Sequence, residues 1–206
     1  MSDFLDEKVP PVRPLSTAAI EELGRCVLEQ LDPDVLKKPQ PLDVLRLVDD
    51  RLPKFGIHVS PASREELGDR AGATDPQGRH EIEILIGEEY WERLEEGGPP
   101  SYFAKTTVCH ELGHGVLHVP VLRRRLLLTD CFARVERKAI KAYEDPEWQA
   151  WAFAGAILMP SVTLTMLKRR HNLLTAEVVA ATYEVSTQMV NSHLKRLRWP
   201  LDRSTD

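Results

Sequence analysis

The spacing of hydrophobic positions changes several times along the chain, and each change marks an element. Ile20, Leu23, Val27 and Leu31 recur at helical intervals behind Ser16, so residues 16–31 read as an amphipathic helix capped by that serine. Pro33, Pro39 and Pro41 interrupt the chain after it. In "PLDVLRLVDDRL" (41–52), Val44, Leu45, Val48 and Leu52 form a shorter helical stripe. "GIHVS" (56–60) alternates as a strand does, and "ATDPQGRH" (73–80) is rich in turn formers. "EIEILIG" (81–87) places Ile82, Ile84 and Ile86 on one face and Glu81 and Glu83 on the other, a half-exposed strand that could border a groove. "GGPPS" (97–101) breaks the chain ahead of a helix over 102–118. Residues 121–145 are charged, with Arg123 to Arg125 and a helix expected over about 132–143. "EWQAWAFAGAILMP" (147–160) is apolar almost all round and reads as a buried helix stopped by Pro160. Two short helices, over about 175–183 and 187–198, complete the pattern.

These elements make an α+β, mainly helical protein with a small mixed or antiparallel sheet. Pro10, Pro11 and Pro14 mark residues 1–15 as a flexible tail. Residues 16–165 form one domain, and 166–206 form a helical segment packed on it. The 206 residues are 42% hydrophobic and 29% charged, ordinary values for a globular chain. The net charge of −5 gives no global pull toward nucleic acid. Cys26, Cys109 and Cys131 are too few for a disulfide framework and favour a reducing compartment; the first two read as core. The first residues carry early acids and no apolar run, so no secretory signal is expected. No window approaches eighteen uninterrupted apolar residues, so no membrane span is expected either, and the protein reads as cytoplasmic.

The chemistry concentrates in "VCHELGHGVLH" (108–118). On an α-helix each residue turns the chain by about 100°, so His110 and His114 stand one turn apart on one face. Both imidazoles can reach a single divalent cation. Glu111 points about 60° away from His114, near enough to touch a coordinated water rather than the ion. That spacing suits a general base acting beside a Lewis acid. Gly113 and Gly115 each cost a helix on the order of 1 kcal/mol, tolerable where a strand or neighbouring helix must approach closely. Val108, Leu112, Val116 and Leu117 indicate that the helix is substantially buried.

A catalytic zinc takes three protein ligands. His118 lies one turn further on, but a straight helix rarely wraps three ligands around an ion. An acid from downstream fits better. Glu147 opens the helix containing Ala150, Ala152, Ala154, Gly155 and Ala156, whose small side chains permit close approach. Glu147 also suits a helix N-terminal acid favoured by the dipole. Glu144, Asp145, Glu136 and Asp130 are weaker alternatives. The set His110, His114 and Glu147 suits Zn2+ and admits Mn2+ or Fe2+.

"TVCHELGHGVLH" (107–118) and "EWQAWAFAGAILMP" (147–160) resemble the two signature blocks of the ImmA/IrrE family of metallopeptidases. "PLDVLRLVDDRLPKFGIHV" upstream and "VVAATYEVSTQMVNSHLKRL" downstream are more faintly similar. Thr106 departs from the family pattern, where an aromatic is frequent, and Trp151 stands where asparagine is usual. The resemblance implies a zincin-like core around the helix bearing the two histidines. It implies His110, His114 and Glu147 as zinc ligands and Glu111 as catalytic base. It also implies limited, regulatory cleavage of a protein substrate, since some members cleave helix-turn-helix transcriptional repressors.

The last two helices have helix-turn-helix spacing, with "EVS" (184–186) as the turn and Ser186 as cap. Val178, Val179, Ala181, Val190, Leu194 and Leu197 supply apolar faces. Residues 167–203 carry seven basic and three acidic side chains, and Gln188, Asn191 and Ser192 offer base-edge contacts. DNA is therefore a conceivable partner. Packing on the core or gripping a protein is the favoured reading, and a DNA- or partner-binding regulator with a silent or structural metal site is the alternative function. Tyr102, Tyr143 and His193 are candidates for oxyanion stabilisation.

Overall fold

The computed structural model describes residues 8–9, 12–77, 80–121, 135–136, 141–170 and 174–200. Helix α1 (Thr17–Leu31) begins where the sequence places it, the Ser16 side chain accepting from Ala19 N at 3.2 Å. Its buried stripe is rotated from the expected one. Gly24 and Leu28 face inward with Ile20 and Leu31, while Leu23 and Cys26 are exposed. The reason is that α1 docks through a glycine: a Cβ at Gly24 would lie 3.0 Å from Ala156 Cβ.

The second stripe is a composite. Val44–Arg46 is α-helical (α2), Leu47–Arg51 widens to a π turn, and Leu52–Phe55 tightens to 3-10. The widened turn carries Leu47 inward with Val44, Val48 and Leu52, leaving Leu45 only half-buried. Gly56, at φ 70°, then turns the chain into β2 (Ile57–Ala62). A single turn, α3 (Arg64–Leu67), leads to β3 (Gly72–Gln77) and β4 (Glu81–Gly87). The turn formers at 73–80 thus conceal a strand. It holds Pro76 because it is an edge strand, where a missing N–H costs little. The order is β2-β4-β3, with β2 parallel and β3 antiparallel to β4. A two-residue antiparallel ladder joins β1 (Lys8–Val9) to β5 (Val135–Glu136).

Helix α4 (Glu88–Glu96) and the Pro99–Ser101 turn lead into α5 (Tyr102–Leu117), which lies against the sheet. Helix α6 (Pro146–Leu158) packs along the other side of α5. A further helix, α7 (Ser161–Arg170), follows Pro160, where the sequence pattern predicts none. Its buried apolar positions, Leu164 and Leu167, are too few to announce it. Helices α8 (Ala176–Tyr183) and α9 (Thr187–Arg196) form the expected pair, turning at Glu184 in the left-handed region and recapped by Ser186. Val179, Tyr183, Val190 and Leu194 share one hydrophobic cluster with Ile20, Ile84, Leu112 and Phe153, so this pair shares the core. No single helix among the described residues is long and apolar enough to cross a membrane. The helix expected over about 132–143 is not found where that stretch is described: Val135–Glu136 is a strand and Ala142–Glu144 a 3-10 turn. The Arg123–Arg125 run, Cys131 and Asp130 lie outside the described residues.

Two glycines of α5 meet different neighbours. A Cβ at Gly113 would stand 3.1 Å from Ala150 Cα and 3.2 Å from Ala150 O, both backbone atoms of α6. One at Gly115 would meet side-chain atoms at ordinary contact distances, Ile82 Cγ2 at 3.5 Å and Thr74 Cγ2 at 3.9 Å. Gly113→Ala therefore forces α5 and α6 apart and lowers stability by about 1–3 kcal/mol. Gly115→Ala leaves stability level or raises it by up to about 1 kcal/mol through helix propensity. Urea melts of the two variants check the contrast.

Candidate metal centre

Helices α5 and α6 bring three donors from the two signature blocks to one point. His110 Nε2 and His114 Nε2 are 3.1 Å apart, Glu147 Oε2 is 3.2 Å from His110 Nε2, and Glu147 Oε1 is 3.2 Å from His114 Nε2. A tetrahedral ion with ligand bonds of about 2.0–2.1 Å sets its ligand atoms roughly 3.3 Å apart, so the spacing suits one cation. The donor chemistry agrees. Two imidazole nitrogens and a carboxylate held this closely in a largely buried site are stabilised by a shared positive charge. His110, His114 and Glu147 are the described residues whose ligand atoms converge in this way.

Glu147 reaches the pair because α6 starts one turn before its closest contact with Gly113. Asp145 caps that start, its side chain accepting from Glu147 N at 2.9 Å. Asp145 and Glu147 thereby divide the two roles weighed from the sequence: the first acts as cap, the second faces the imidazoles. Glu144 sits in the preceding 3-10 turn, Ala142–Glu144.

Burial by itself would raise the Glu147 carboxyl, but hydrogen bonds from His110 and His114 outweigh it and hold the group well below the usual carboxylate range. Burial would likewise lower the His114 imidazole, and the Glu147 carboxylate more than offsets it, raising the group. Burial pushes His118 down to about 4, helped by repulsion from His114. His118 is not a third imidazole at the donor cluster. Its Nδ1 faces His114 Nδ1 at 3.0 Å, and its Nε2 faces Gln149 Oε1 at 3.2 Å. The other histidine, His110, lies under the Trp151 ring, centroids 4.3 Å apart.

Glu111 is buried beside the donors at the floor of a cleft of about 660 Å³. The Thr74 hydroxyl lies 2.7 Å from Glu111 Oε2 and 2.9 Å from Glu111 O, and its one proton serves one acceptor at a time. Strand β3 supplies this cleft wall through Gly72, Ala73 and Thr74. Gly72 is a close approach: a Cβ there would meet Glu111 Cγ at 3.0 Å and Leu85 O at 3.1 Å. The Glu81–Glu83 strand does not border the groove as expected. It is β4, paired on both sides, and the cleft-side edge belongs to β3.

Cys109 is buried, and burial pushes its thiol up to about 12, as a core residue requires. Tyr102, Tyr143 and His193 do not line the cleft. His193 is packed against α6, its ring only 2.3 Å from where a Gly155 Cβ would be, with Nε2 3.2 Å from Met159 O. Thr74, His118, Gln149 and Trp151 surround the site without having been assigned to it from sequence. Gln149 carried the clearest signal: an amide on an otherwise apolar helix, 1% exposed in the structure, needs partners.

The family model for the IrrE N-terminal-like domain, Peptidase_M78, matches residues 103–195, a little under half of the chain. No curated protein and no solved structure matches it. The matched stretch contains both histidines, Glu111, Glu147 and the last helix pair. Residues 103–195 are thus similar to a metallopeptidase-family domain, and the resemblance to the ImmA/IrrE family is borne out over that stretch.

The charge pairing predicts a pH signature in the metal-free protein. The raised His114 contributes stability that is full below its ordinary value of 6.5 and is lost as pH rises through the raised value. The depressed Glu147 contributes stability that is full above 4.5 and is lost as pH falls through the depressed value. Glu147→Gln is therefore most destabilising, relative to the parent chain, between 4.5 and 6.5, with the gap narrowing on either side. Thermal melts in chelator across pH measure it, and a gap that ignores pH would contradict the pairing.

Proposed function

We propose that this Peptidase_M78-family domain is a zinc-dependent endopeptidase making limited, regulatory cleavage of a protein substrate, which by family resemblance is a helix-turn-helix transcriptional repressor. The supporting observation is the convergence of His110, His114 and Glu147 beside the buried carboxylate of Glu111 in one open cleft. A purely structural zinc site is closed by four protein ligands and needs no such acid beside it.

In this reading His110, His114 and Glu147 hold the ion, Zn2+ by donor type, with Mn2+ or Fe2+ also compatible. A bound zinc ion would supply Lewis acidity, which polarises a carbonyl and lowers the pKa of water to about 7. Glu111 takes the proton of the attacking water and passes it to the departing amide nitrogen. Thr74 steadies one oxygen of that carboxylate, and the other carries the proton. The edge of β3 left unpaired among the described residues offers backbone groups at Gly72 to Thr74 to an extended peptide, so the substrate adds as a strand across the cleft. Such a mode demands a locally unfolded or exposed segment, which suits limited cleavage rather than digestion.

A DNA-binding reading is less well supported. The turn of the helix pair is tied to α5 by a Lys105–Glu184 ion pair of 2.7 Å. Gln188 and Ser192, two of the three candidate base-edge residues, line a pocket opposite Phe103 and Trp151.

Glu111→Gln is expected to retain one zinc per chain and to lose cleavage by about 10²–10⁴-fold. Glu147→Ala is expected to lose the metal itself. Elemental analysis of the purified variants, with incubation alongside a repressor encoded nearby, separates these effects. Unchanged cleavage by Glu111→Gln would count against a peptidase mechanism at this site.

A further inference from the structure

We propose that His118 and Gln149 are positioning residues that fix the tautomer of His114 and so present its Nε2 lone pair to the metal; this rests on the metal-site reading above. The starting point is the amide of Gln149, which is 1% exposed. Its Nε2 lies 2.8 Å from Arg13 O and 2.7 Å from Tyr143 O. Both neighbours are carbonyl oxygens, which only accept, so the NH2 group must face them and donates both of its protons. The orientation of the amide is therefore not free: turning it over would set three oxygens against one another.

With the NH2 so placed, Oε1 faces His118 Nε2 at 3.2 Å. A carbonyl oxygen accepts, so His118 Nε2 carries the proton. A neutral imidazole has one N–H and one bare nitrogen, which leaves His118 Nδ1 bare. That nitrogen faces His114 Nδ1 at 3.0 Å and accepts from it. His114 therefore keeps a proton on Nδ1, and Nε2, which donates to Glu147 when no ion is present, is the nitrogen left to bind one. Nε2 is the atom 3.2 Å from Glu147 Oε1 and 3.1 Å from His110 Nε2, at the point where the donors converge. Two backbone carbonyls thus dictate, through an amide and two rings, which nitrogen of His114 can bind an ion. The chain runs outward from α5 through α6 to the Tyr143 turn and to Arg13 ahead of α1, so the N-terminal approach to the domain is coupled to the site.

Outer hydrogen bonds to a ligating histidine are worth about 10–100-fold in metal affinity. The geometry provides its own control. An asparagine at 118 places Oδ1 close to where histidine has Nδ1, so it can accept from His114; a leucine cannot. His118→Leu and Gln149→Leu are expected to weaken zinc binding by about 10–100-fold in chelator competition. His118→Asn is expected to stay within a few-fold of the parent chain. In the zinc-loaded parent, nitrogen-15 NMR of the ring is expected to find the His114 proton on Nδ1 and the ion on Nε2. Coordination through Nδ1, with the proton on Nε2, overturns the relay, as does parent-like affinity in His118→Leu. Equal loss in His118→Asn and His118→Leu also overturns it, by showing that the ring is needed for packing rather than as an acceptor. A parent chain that takes up no zinc overturns the metal site and the relay together, while a parent that binds and a leucine variant that binds equally well removes the relay alone.

Discussion

The contact between Gly113 and Ala150 sets the terms for everything at this site. Two helices usually pack with axes about 8–10 Å apart, depending on the side chains between them. Here a glycine meets an alanine backbone, with no room for even a methyl group. Glu147 is three residues before Ala150 and His110 is three residues before Gly113, so both project from the turn adjoining that contact. A carboxylate on a short stem can then lie within 3.2 Å of two imidazoles on the neighbouring helix. Glutamate is the longer of the two acidic side chains, so wider packing would leave the imidazoles out of a carboxylate's reach. Small residues further along α6 serve the same end: Ala156 lets α1 approach from behind through Gly24, and Gly155 admits the His193 ring.

The sheet plays the complementary part. Strand β4 is fully committed: β2 and β3 use its two edges, and Ile82, Ile84 and Ile86 are driven into the core. Strand β3 is left with one edge and lies tight against α5 at Gly72, where Thr74 reaches Glu111. A buried carboxylate with no partner is costly. A single hydroxyl offsets part of that cost while leaving the acid able to take up a proton. The arrangement also explains why the strand with the most regular alternation of apolar residues is not the one beside the chemistry. Regular alternation belongs to the strand that is buried on one face and paired on both sides. The cleft strand is short, polar and contains a proline.

That contrast accounts for what the sequence discloses and what it conceals. Elements governed by side-chain periodicity are legible: α1, α5, α6 and β4 fall close to where the pattern places them. The two histidines are legible because their chemistry requires a four-residue interval on a helix. Glu147 is legible only with help, since a first-turn acid has an equally good local explanation, and Asp145 turns out to fill the cap. β3 is concealed because Pro76 and Asp75 resemble a turn. α7 is concealed by its polarity, and the inward position of Leu47 by a π turn, which no periodicity announces. The rotation of α1 is concealed because glycine looks neutral in a hydrophobic pattern although it marks the closest approach. In each case the missing information concerns a neighbour that is distant in sequence.

The two imidazoles proposed to hold the ion are positioned in unlike ways, and the difference has consequences. His114 is locked through hydrogen bonds that end on backbone carbonyls. His110 is held by the Trp151 ring, and its Nδ1 is buried with no hydrogen-bond partner among the described residues. An indole donates and does not accept, so Trp151 fixes the plane of the His110 ring and not the position of its proton. Coordination through His110 Nε2 places the proton on Nδ1, leaving a buried N–H unpaired at a cost of about 1–3 kcal/mol. An asparagine at 151, usual in the resembling block, would carry an oxygen able to accept that proton. The tryptophan exchanges this acceptor for a tilted ring contact and a larger apolar wall beside the cleft. With one ligand's tautomer left unenforced, the enforcement on the other weighs more. The polar load of the site therefore falls on Gln149, one buried amide in a helix otherwise built to be small and apolar.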